Sequence, residues 1–265
     1  MNRLNKKISE LKRKKRKALV AFVTAGYPDI KSTEGFVKTF AENGVDIVEL
    51  GVPFSDPIAD GPTIQYSSEY ALRKGINLNK ILNSVKRMRR KMNLPILLMS
   101  YLNPIYKMGM KNAAKKIYES GADGLIVPDL IPEESRDISR ALKKYGLAEV
   151  FLAAPNTPLN RLKFIDSKSR GFLYAVSVTG VTGKRAALPS QTGDFLLRLK
   201  KNARRNLKFL GFGISSVKQV AEIKKSVDGI IVGSAIIELI KNNKGQKRIK
   251  KLASFMQNFR KALDS

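Results

Sequence analysis

Glu49 is a carboxylate within a short, largely apolar run at residues 46–52, and two further carboxylates, Asp56 and Asp60, follow in the next segment. The sequence has 0 His and 0 Cys. This composition excludes a Ser-His triad, a thiolate nucleophile and a metal ion held by imidazole or thiolate ligands. Acid–base chemistry in this chain must therefore use Asp, Glu, Lys or Tyr, and Glu49 is the first candidate.

The alternation of residues around Glu49 predicts the direction of its side chain. Ile47 and Gly51 share its face, whereas Val48 and Leu50 form a wholly apolar face that we expect to meet helices. Glu49 should then point to the enclosed side of the sheet, near the end of its strand. Loss of solvation there would raise the pKa of the carboxyl and suit it to donate a proton. A structural ion pair with a buried Lys or Arg is the alternative.

Asp56 and Asp60 lie in a segment at residues 53–62 that contains Pro53, Pro57 and Pro62. An Asp in such a loop usually forms a turn. Either residue becomes a catalytic candidate only if it faces the same pocket as Glu49. The three prolines indicate a loop held in one shape, which a preorganised site requires.

Two later apolar runs end in glycine and serine, at residues 211–216 and 233–234. Glycine lets backbone N–H groups approach an anion, and Ser215 and Ser234 could each begin a helix whose first amides face that anion. We favour a phosphate site at these turns, with ordinary strand-to-helix turns as the alternative. Residues 177–185 contain two Gly and two Thr, and they predict a mobile loop, either a lid over a phosphorylated substrate or a plain flexible loop.

Eight short apolar runs alternate with amphipathic stretches along the chain. Each run is apolar on both faces, which is typical of parallel strands buried on both sides. Eight strand–helix units in a chain of 265 residues predict an α/β fold, a single (β/α)₈ TIM barrel. A doubly wound open sheet is the alternative. The runs are residues 18–23, 46–52, 95–100, 124–127, 150–154, 172–176, 209–213 and 229–233.

The stretches between the runs have helical periodicity, and the Gly-x-Asp sequences at 44–46 and 121–123 should each end a helix and begin a strand. No linker divides the chain, so we expect one domain over residues 1–265. Helices are expected at residues 30–42, 78–92, 132–145 and 217–226. The other expected parts are an N-terminal helix at 1–16 capping the bottom of the barrel, the barrel at 18–240, a short extra helix after the eighth strand and a final outer helix at 245–263.

The charge balance is strongly basic, with 50 Lys and Arg against 22 Asp and Glu and a net charge of +28. Such a charge fits a nucleic-acid or acidic-membrane partner, or else a compositional drift spread over solvated faces. We favour the drift because basic residues occur on nearly every expected helix and aromatic residues are only 8%. We expect no specific nucleic acid and no membrane partner, and the absence of a secretory signal or a spanning segment predicts a cytoplasmic protein.

The run from Glu49 to Pro62 resembles the characteristic segment of the tryptophan synthase alpha chain family. Shorter matching segments occur in family order over about residues 18–240. They are residues 22–28, 98–101, 103–104, 127–130, 152–155, 180–183, 211–215 and 232–235.

The resemblance implies a single (β/α)₈ barrel that acts as a carbon–carbon lyase of tryptophan biosynthesis. It would cleave indole-3-glycerol phosphate to indole and D-glyceraldehyde 3-phosphate. It would work with a beta chain in an alpha2-beta2 heterotetramer, and the beta chain would hold pyridoxal phosphate. No cofactor and no metal are expected in this chain.

The resemblance also implies roles for individual residues. Glu49 and Asp60 would be catalytic: Glu49 would protonate the indole ring and help to remove the glycerol hydroxyl proton, and Asp60 would hold the indole N–H. Thr182 would contact Asp60 from the lid. The remaining assignments are an indole pocket of Phe22, Tyr101, Leu125, Val127, Tyr174 and Phe212, a phosphate site of Gly183, Gly213, Gly233 and Ser234, and a partner surface of Pro53, Asp56 and Asn103.

Two other functions compete with this one. Another enzyme on the same barrel, such as a sugar-phosphate isomerase or an indole-glycerol-phosphate synthase, would share the phosphate turns but not the run at 49–62. A non-enzymatic role, as an activator of the beta chain or a basic nucleic-acid binder, would not require Glu49 and Asp60.

Overall fold

Parallel strands form the centre of the molecule, which this computed structural model describes over residues 2–177 and 191–265. The strands match the eight apolar runs, with shifts of up to two residues at their ends. Those ranges contain β1 (Ala18–Thr24), β2 (Ile47–Gly51), β3 (Ile96–Met99), β4 (Gly124–Ile126), β5 (Ala148–Val150), β6 (Leu152–Ala153), β7 (Phe172–Val176), β8 (Leu207–Gly211) and β9 (Gly229–Val232).

The strands close into a barrel. Their order is β5-β4-β3-β2-β1-β9-β8-β7-β6, and each pairing along it is parallel. β5 and β6 are the two halves of one strand interrupted at Phe151, whose carbonyl oxygen accepts from the amide of Tyr174 at 3.1 Å. The prediction of a (β/α)₈ barrel is therefore confirmed.

Helices surround the sheet and connect successive strands. The predicted helix at 30–42 is present with the same bounds, whereas the one expected from residue 132 begins only at Arg136, because residues 131–135 form turns closed by Glu134 and Ser135 amides. The described helices are α1 (Arg3–Arg13), α2 (Ile30–Glu42), α3 (Pro62–Arg73), α4 (Leu78–Arg89), α5 (Leu102–Met108), α6 (Met110–Ser120), α7 (Arg136–Lys144), α8 (Leu159–Lys168), α9 (Gln191–Asn202), α10 (Val217–Ile223), α11 (Ser234–Lys241) and α12 (Gly245–Asp264).

The two Gly-x-Asp sequences join helices to strands as expected. Gly44 and Gly121 have φ of +85° and +83°, in the left-handed region that glycine tolerates and that ends a helix. Asp46 then accepts from the amide of Leu19 on β1 at 2.9 Å, and Asp123 accepts from the first amide of β3 at 2.9 Å. Each glycine stops a helix, and each carboxylate ties the next strand to its neighbour.

Side chains on alternate positions of the strands form two apolar clusters. The inner cluster fills the barrel and includes Ile47, Leu97 and Ile126. The outer cluster lies largely between the sheet and the helices and includes Val48 and Leu50. The alternation inferred for β2 therefore matches the structure, with Ile47 inside and its two neighbours outside.

Helix α1 closes the barrel at the end where the strands begin. Leu4, Ile8 and Leu11 recur at helical spacing, and all three belong to the inner cluster together with Phe172 and Phe209. Leu4 has no exposed surface. The carboxyl ends of the strands surround the opposite end, which we call the mouth.

Charged residues differ in sign between a segment at the closed end of the barrel and several loops at its mouth. Six consecutive basic residues, at 12–17, begin in the last turn of α1 and continue past its end at the closed end of the barrel. The loops at 25–29, 52–61 and 127–135 follow strands at the mouth and contain acidic residues but no Lys or Arg. Among the described helices, none is long and apolar enough to cross a membrane.

Replacing Leu4 by Ala should lower the free energy of unfolding by about 2–5 kcal/mol, because the substitution leaves a cavity under the barrel that the surrounding side chains fill incompletely. Urea unfolding measures this difference. Ser9→Ala, at an exposed position of the same helix, is the control and should change stability by less than about 0.5 kcal/mol. Equal effects of the two substitutions would contradict the role given to α1.

Candidate active site

Glu49 lies on β2 between two neighbouring strands, opposite Phe22 of β1 and Leu97 of β3. Its side chain has no exposed surface, and neither carboxyl oxygen has a hydrogen-bond partner among the described residues. Burial raises the pKa of the Glu49 carboxyl to about 8. Within the described ranges, the alternative of a structural ion pair therefore has no support, and Glu49 keeps its proton at neutral pH.

Asp60 lies at the end of the loop between β2 and α3, and its side chain is partly buried at the mouth. Burial raises the pKa of Asp60 to about 6, although a hydrogen bond from Tyr101 partly opposes this shift. The Tyr101 hydroxyl also accepts from the amide of Ala59 at 3.0 Å, and its ring stacks on Phe54 with centroids 5.2 Å apart. Tyr101 thus fixes both the loop and the carboxylate.

Tyr174 of β7 connects the two acids electrostatically. Burial raises its pKa far above the ordinary value, and the charges of Glu49 and Asp60 raise it further. Tyr174 and Asp60 line the same cavity. A Cβ at Gly211 would lie 2.5 Å from that hydroxyl, so a glycine on β8 is what makes room for Tyr174.

Two adjoining cavities at the mouth contain Asp60. The larger holds about 410 Å³ of space, part of it open to solvent, and the smaller about 280 Å³. Both are lined by Phe22, Asp60, Ile64 and Met99. The larger is also lined by Tyr174, Phe212, Gly213, Ile214, Ile231, Gly233 and Ser234, and the smaller by Gly51, Val52, Ser68, Ser100, Tyr101 and Pro128.

The structure brings four residues of the expected indole pocket to these cavities, namely Phe22, Tyr101, Tyr174 and Phe212. It does not bring Leu125 and Val127, which belong to the outer cluster. Side chains alternate along β4, and Ile126 is the residue that joins the inner cluster. The assignment of Leu125 and Val127 is therefore corrected: it chose the face of β4 that packs against helices.

The sequence interpretation missed several apolar lining residues, among them Met99, Ile231 and Ile64. Met99 pairs with Ile126 and partly buries its side chain against the inner cluster. Ile231 belongs to that cluster outright. Alternation along β3 and β9, once its phase was known, would have identified both residues, whereas Ile64 lies on α3 and has no such signal.

Gly213, Gly233 and Ser234, three of the four expected phosphate residues, line one side of the larger cavity. Ser234 is the first residue of α11, the short extra helix expected after the eighth strand, and the first amides of a helix can bind an anion. The fourth residue, Gly183, lies outside the described residues, as do Thr182 and the loop at 178–190.

Ser215 does not begin a helix, contrary to expectation. Ser216 is the N-cap of α10, in a capping box with Gln219, and the Gln219 side-chain oxygen accepts from the amides of Ser215 and Ser216 at 2.8 Å and 3.0 Å. Those two amides are therefore engaged with Gln219. Among the described residues that line the larger cavity there is no Lys or Arg, so an anion there would depend on backbone amides.

The three residues expected to face a partner differ in exposure. Asp56 and Asn103 are exposed near the mouth, whereas Pro53 is buried in this chain. Ile58, on the same loop as Asp56, is an apolar side chain that is 75% exposed. The described residues contain no cluster of three or more Asp, Glu, His or Cys that could hold a metal ion.

Comparison with known proteins identifies close relatives. The family model described as tryptophan synthase alpha chain matches residues 8–264. The chain is 44% identical to the tryptophan synthase alpha chain of Dehalococcoides mccartyi, over 94% of this chain and 96% of that protein. It is 42% identical to that of Geobacter sulfurreducens, over 99% of each. The crystal structure of tryptophan synthase subunit alpha from Legionella pneumophila is similar with a TM-score of 0.88 at 33% identity, covering 100% of this chain and 99% of that one.

The buried acid predicts how stability depends on pH. Between about pH 4.5 and 8 the folded chain keeps the Glu49 proton and the unfolded chain has lost it, so this group's contribution to the free energy of unfolding falls as pH rises. The effect is at most roughly 1.4 kcal/mol for each unit by which the pKa is raised. Glu49→Gln should abolish it and be more stable than the original chain at about pH 8, with the difference shrinking toward about pH 5.

Thermal unfolding of both proteins across this pH range measures the effect. The exposed Glu69→Gln, on α3, is the control and should follow the original chain at each pH. A Glu49→Gln curve that runs parallel to the original would show that Glu49 is not held protonated by burial.

Proposed function

The chain belongs to the tryptophan synthase alpha chain family and cleaves indole-3-glycerol phosphate to indole and D-glyceraldehyde 3-phosphate, and we propose that Glu49 and Asp60 are its catalytic residues. One observation carries this proposal. A carboxyl group that is fully buried and has no hydrogen-bond partner among the described residues lies on β2 opposite Phe22, and Phe22 lines the same cavity as the second carboxyl group, that of Asp60.

The cleavage is a retro-aldol reaction, in which indole becomes a good leaving group only after its C3 is protonated. Glu49, protonated at neutral pH because of its burial, donates this proton. The resulting positive charge is shared with the ring nitrogen. Asp60, which is largely ionised above about pH 6, accepts the indole N–H and stabilises that charge.

The Glu49 carboxylate then removes the proton of the glycerol hydroxyl adjacent to the ring. The bond between that carbon and indole C3 breaks, its electron pair returns to the ring to form indole, and the hydroxyl-bearing carbon becomes the aldehyde of glyceraldehyde 3-phosphate. Glu49 ends protonated, ready for the next turnover. Each such proton transfer accelerates a reaction by about 10²–10⁴-fold.

The larger cavity has an apolar side for the indole ring of the substrate and an amide-lined side for its phosphate group. Phe22, Met99, Tyr174 and Phe212 form the walls against which the indole ring packs. The phosphate lies on Gly213, Gly233 and Ser234, at the start of α11, where helix amides stabilise a negative charge. In this pose the bond to be broken would lie between the two sides, next to Asp60, which lines the same cavity.

The partner follows from the family, because its alpha chain works with a beta chain that joins indole to serine. We extend this to an alpha2-beta2 heterotetramer in the cytoplasm, with pyridoxal phosphate held by the beta chain and no cofactor in this one. The exposed Asp56 and Asn103 near the mouth are the residues proposed to face that partner, and the buried Pro53 belongs to the same loop as Asp56.

Glu49→Gln and Asp60→Asn should each lower kcat for indole release by at least about 10²-fold, because each removes one charge-handling group of the transition state. Indole formation from indole-3-glycerol phosphate, with and without a beta chain, measures this. Glu69→Gln, on α3 and exposed, should retain the activity. Full activity in either active-site variant would contradict the assignment.

The two carboxyl groups also predict a bell-shaped pH dependence of kcat/KM. Activity requires Asp60 ionised and Glu49 protonated, so kcat/KM should rise with an apparent pKa near 6 and fall with one near 8. Steady-state rates at subsaturating substrate measure this profile. A rate still rising well above pH 8 would mean that Glu49 is not the proton donor.

A further inference from the structure

The segment at residues 211–214 connects β8 to the cavity through an unusual backbone conformation. Phe212 has φ of +60° and is one of only two described non-glycine residues with positive φ, followed by Gly213 at +81°. A bulky residue adopts this conformation only where its surroundings hold it there, commonly at functional sites. Groups from neighbouring elements hold the segment in this conformation.

Two side chains from other elements bind successive carbonyl groups of this segment. The Ser177 hydroxyl, just after β7, donates to the carbonyl oxygen of Phe212. The Gln219 side-chain amide, on α10, donates to the carbonyl oxygen of Gly213 at 3.3 Å. Both side chains are themselves fixed, since each residue is only 1% exposed.

Each of these side chains has further contacts that set its position. The Ser177 amide donates to Gly211 at 3.1 Å, and its carbonyl accepts from the Thr192 hydroxyl at 3.2 Å. The Gln219 oxygen holds the amides of Ser215 and Ser216. The two donors therefore belong to networks that do not depend on a ligand.

Fixing a carbonyl group also fixes the next amide. In a planar trans peptide the C=O of one residue and the N–H of the following residue point in opposite directions. Holding the Phe212 carbonyl therefore directs the Gly213 N–H away from Ser177, and holding the Gly213 carbonyl directs the Ile214 N–H away from Gln219. Gly213 and Ile214 are the two residues of this segment, after Phe212, that line the larger cavity.

We propose that Ser177 and Gln219 are positioning residues, which aim the amides of Gly213 and Ile214 at the substrate's phosphate group. This rests on the proposed function, which places the phosphate at that wall of the cavity. Because no Lys or Arg is found among the described lining residues, correctly aimed amides supply the attraction. Ser177 and Gln219 themselves touch no reacting atom.

Ser177→Ala removes one donor and adds no bulk, and it should raise KM for indole-3-glycerol phosphate about tenfold, which corresponds to the loss of one hydrogen bond to a charged group. kcat should change by less than about twofold, because Glu49 and Asp60 are untouched. The dephosphorylated analogue, indole-3-glycerol, should be cleaved by Ser177→Ala and the original chain with equal kcat/KM. Ser177→Thr keeps the hydroxyl and should restore KM.

Inorganic phosphate provides a readout that does not depend on turnover. It should raise the Tm of the original chain and raise that of Ser177→Ala much less. Gln219→Glu keeps the oxygen that binds the two serine amides but loses the donor to Gly213, so it should also lose the phosphate-dependent shift. Ser120→Ala is the matched control, because Ser120 is a buried serine that donates to a backbone carbonyl on α6, and it should keep both the shift and KM.

The outcomes separate this inference from the proposed function. Equal losses on the phosphorylated and dephosphorylated substrates, or an unchanged phosphate shift in Ser177→Ala and Gln219→Glu, would overturn the positioning role. If Ser177→Ala fails to fold, Gln219→Glu decides by the same criteria. An original chain that does not cleave indole-3-glycerol phosphate, but whose phosphate shift still depends on Ser177, would overturn the proposed function and leave the positioning role standing.

Discussion

An unpaired carboxyl group inside a closed barrel is the constraint on which the site depends. Burying Glu49 without a partner among the described residues costs free energy, and the cost is lowest when the group keeps its proton. The rest of the structure offsets that cost through continuous parallel pairing around the barrel and two packed apolar clusters. A carboxyl group that keeps its proton at neutral pH is thus a consequence of where the strand register places one side chain. Asp60, on a loop at the edge of the same space, is partly solvated and ionises more easily.

The two acids differ in pKa because they differ in surroundings rather than in chemistry. Glu49 is enclosed by strands that allow little movement. Asp60 is held by Tyr101, which also binds the amide of Ala59, so a residue from β3's end determines the shape of a loop that follows β2. A second contact of this kind lies beside Gly213, where Ser177 at the end of β7 donates to the carbonyl oxygen of Phe212 at the end of β8. The mouth of the barrel is therefore stabilised by contacts between adjacent strand ends, and not by each loop alone.

Much of the fold and part of the candidate site could be predicted from the sequence, wherever a local pattern has a direct physical meaning. Eight doubly apolar runs predicted the barrel, glycines with left-handed φ marked the ends of two helices, and alternation around Glu49 predicted its inward direction. The assignment of Leu125 and Val127, which the family resemblance implied, was wrong, and alternation could not have corrected it because an entirely apolar strand does not reveal which of its faces is inside. The interruption at Phe151 and the contacts of Ser177 and Gln219 join residues far apart in the chain, and no local pattern encodes them. Residues 178–190 lie outside the described part of the chain.

The packing of α1 against the bottom of the inner cluster closes one end of the barrel, and this determines how substrate and products enter and leave. Because the other end of the barrel is closed, both products must leave through the mouth, where the substrate enters. If the beta chain binds over the mouth, as proposed, it can receive the apolar product before that product reaches bulk water. Leu4, Ile8 and Leu11, at the end of the barrel opposite the mouth, would in this way restrict the path of the product.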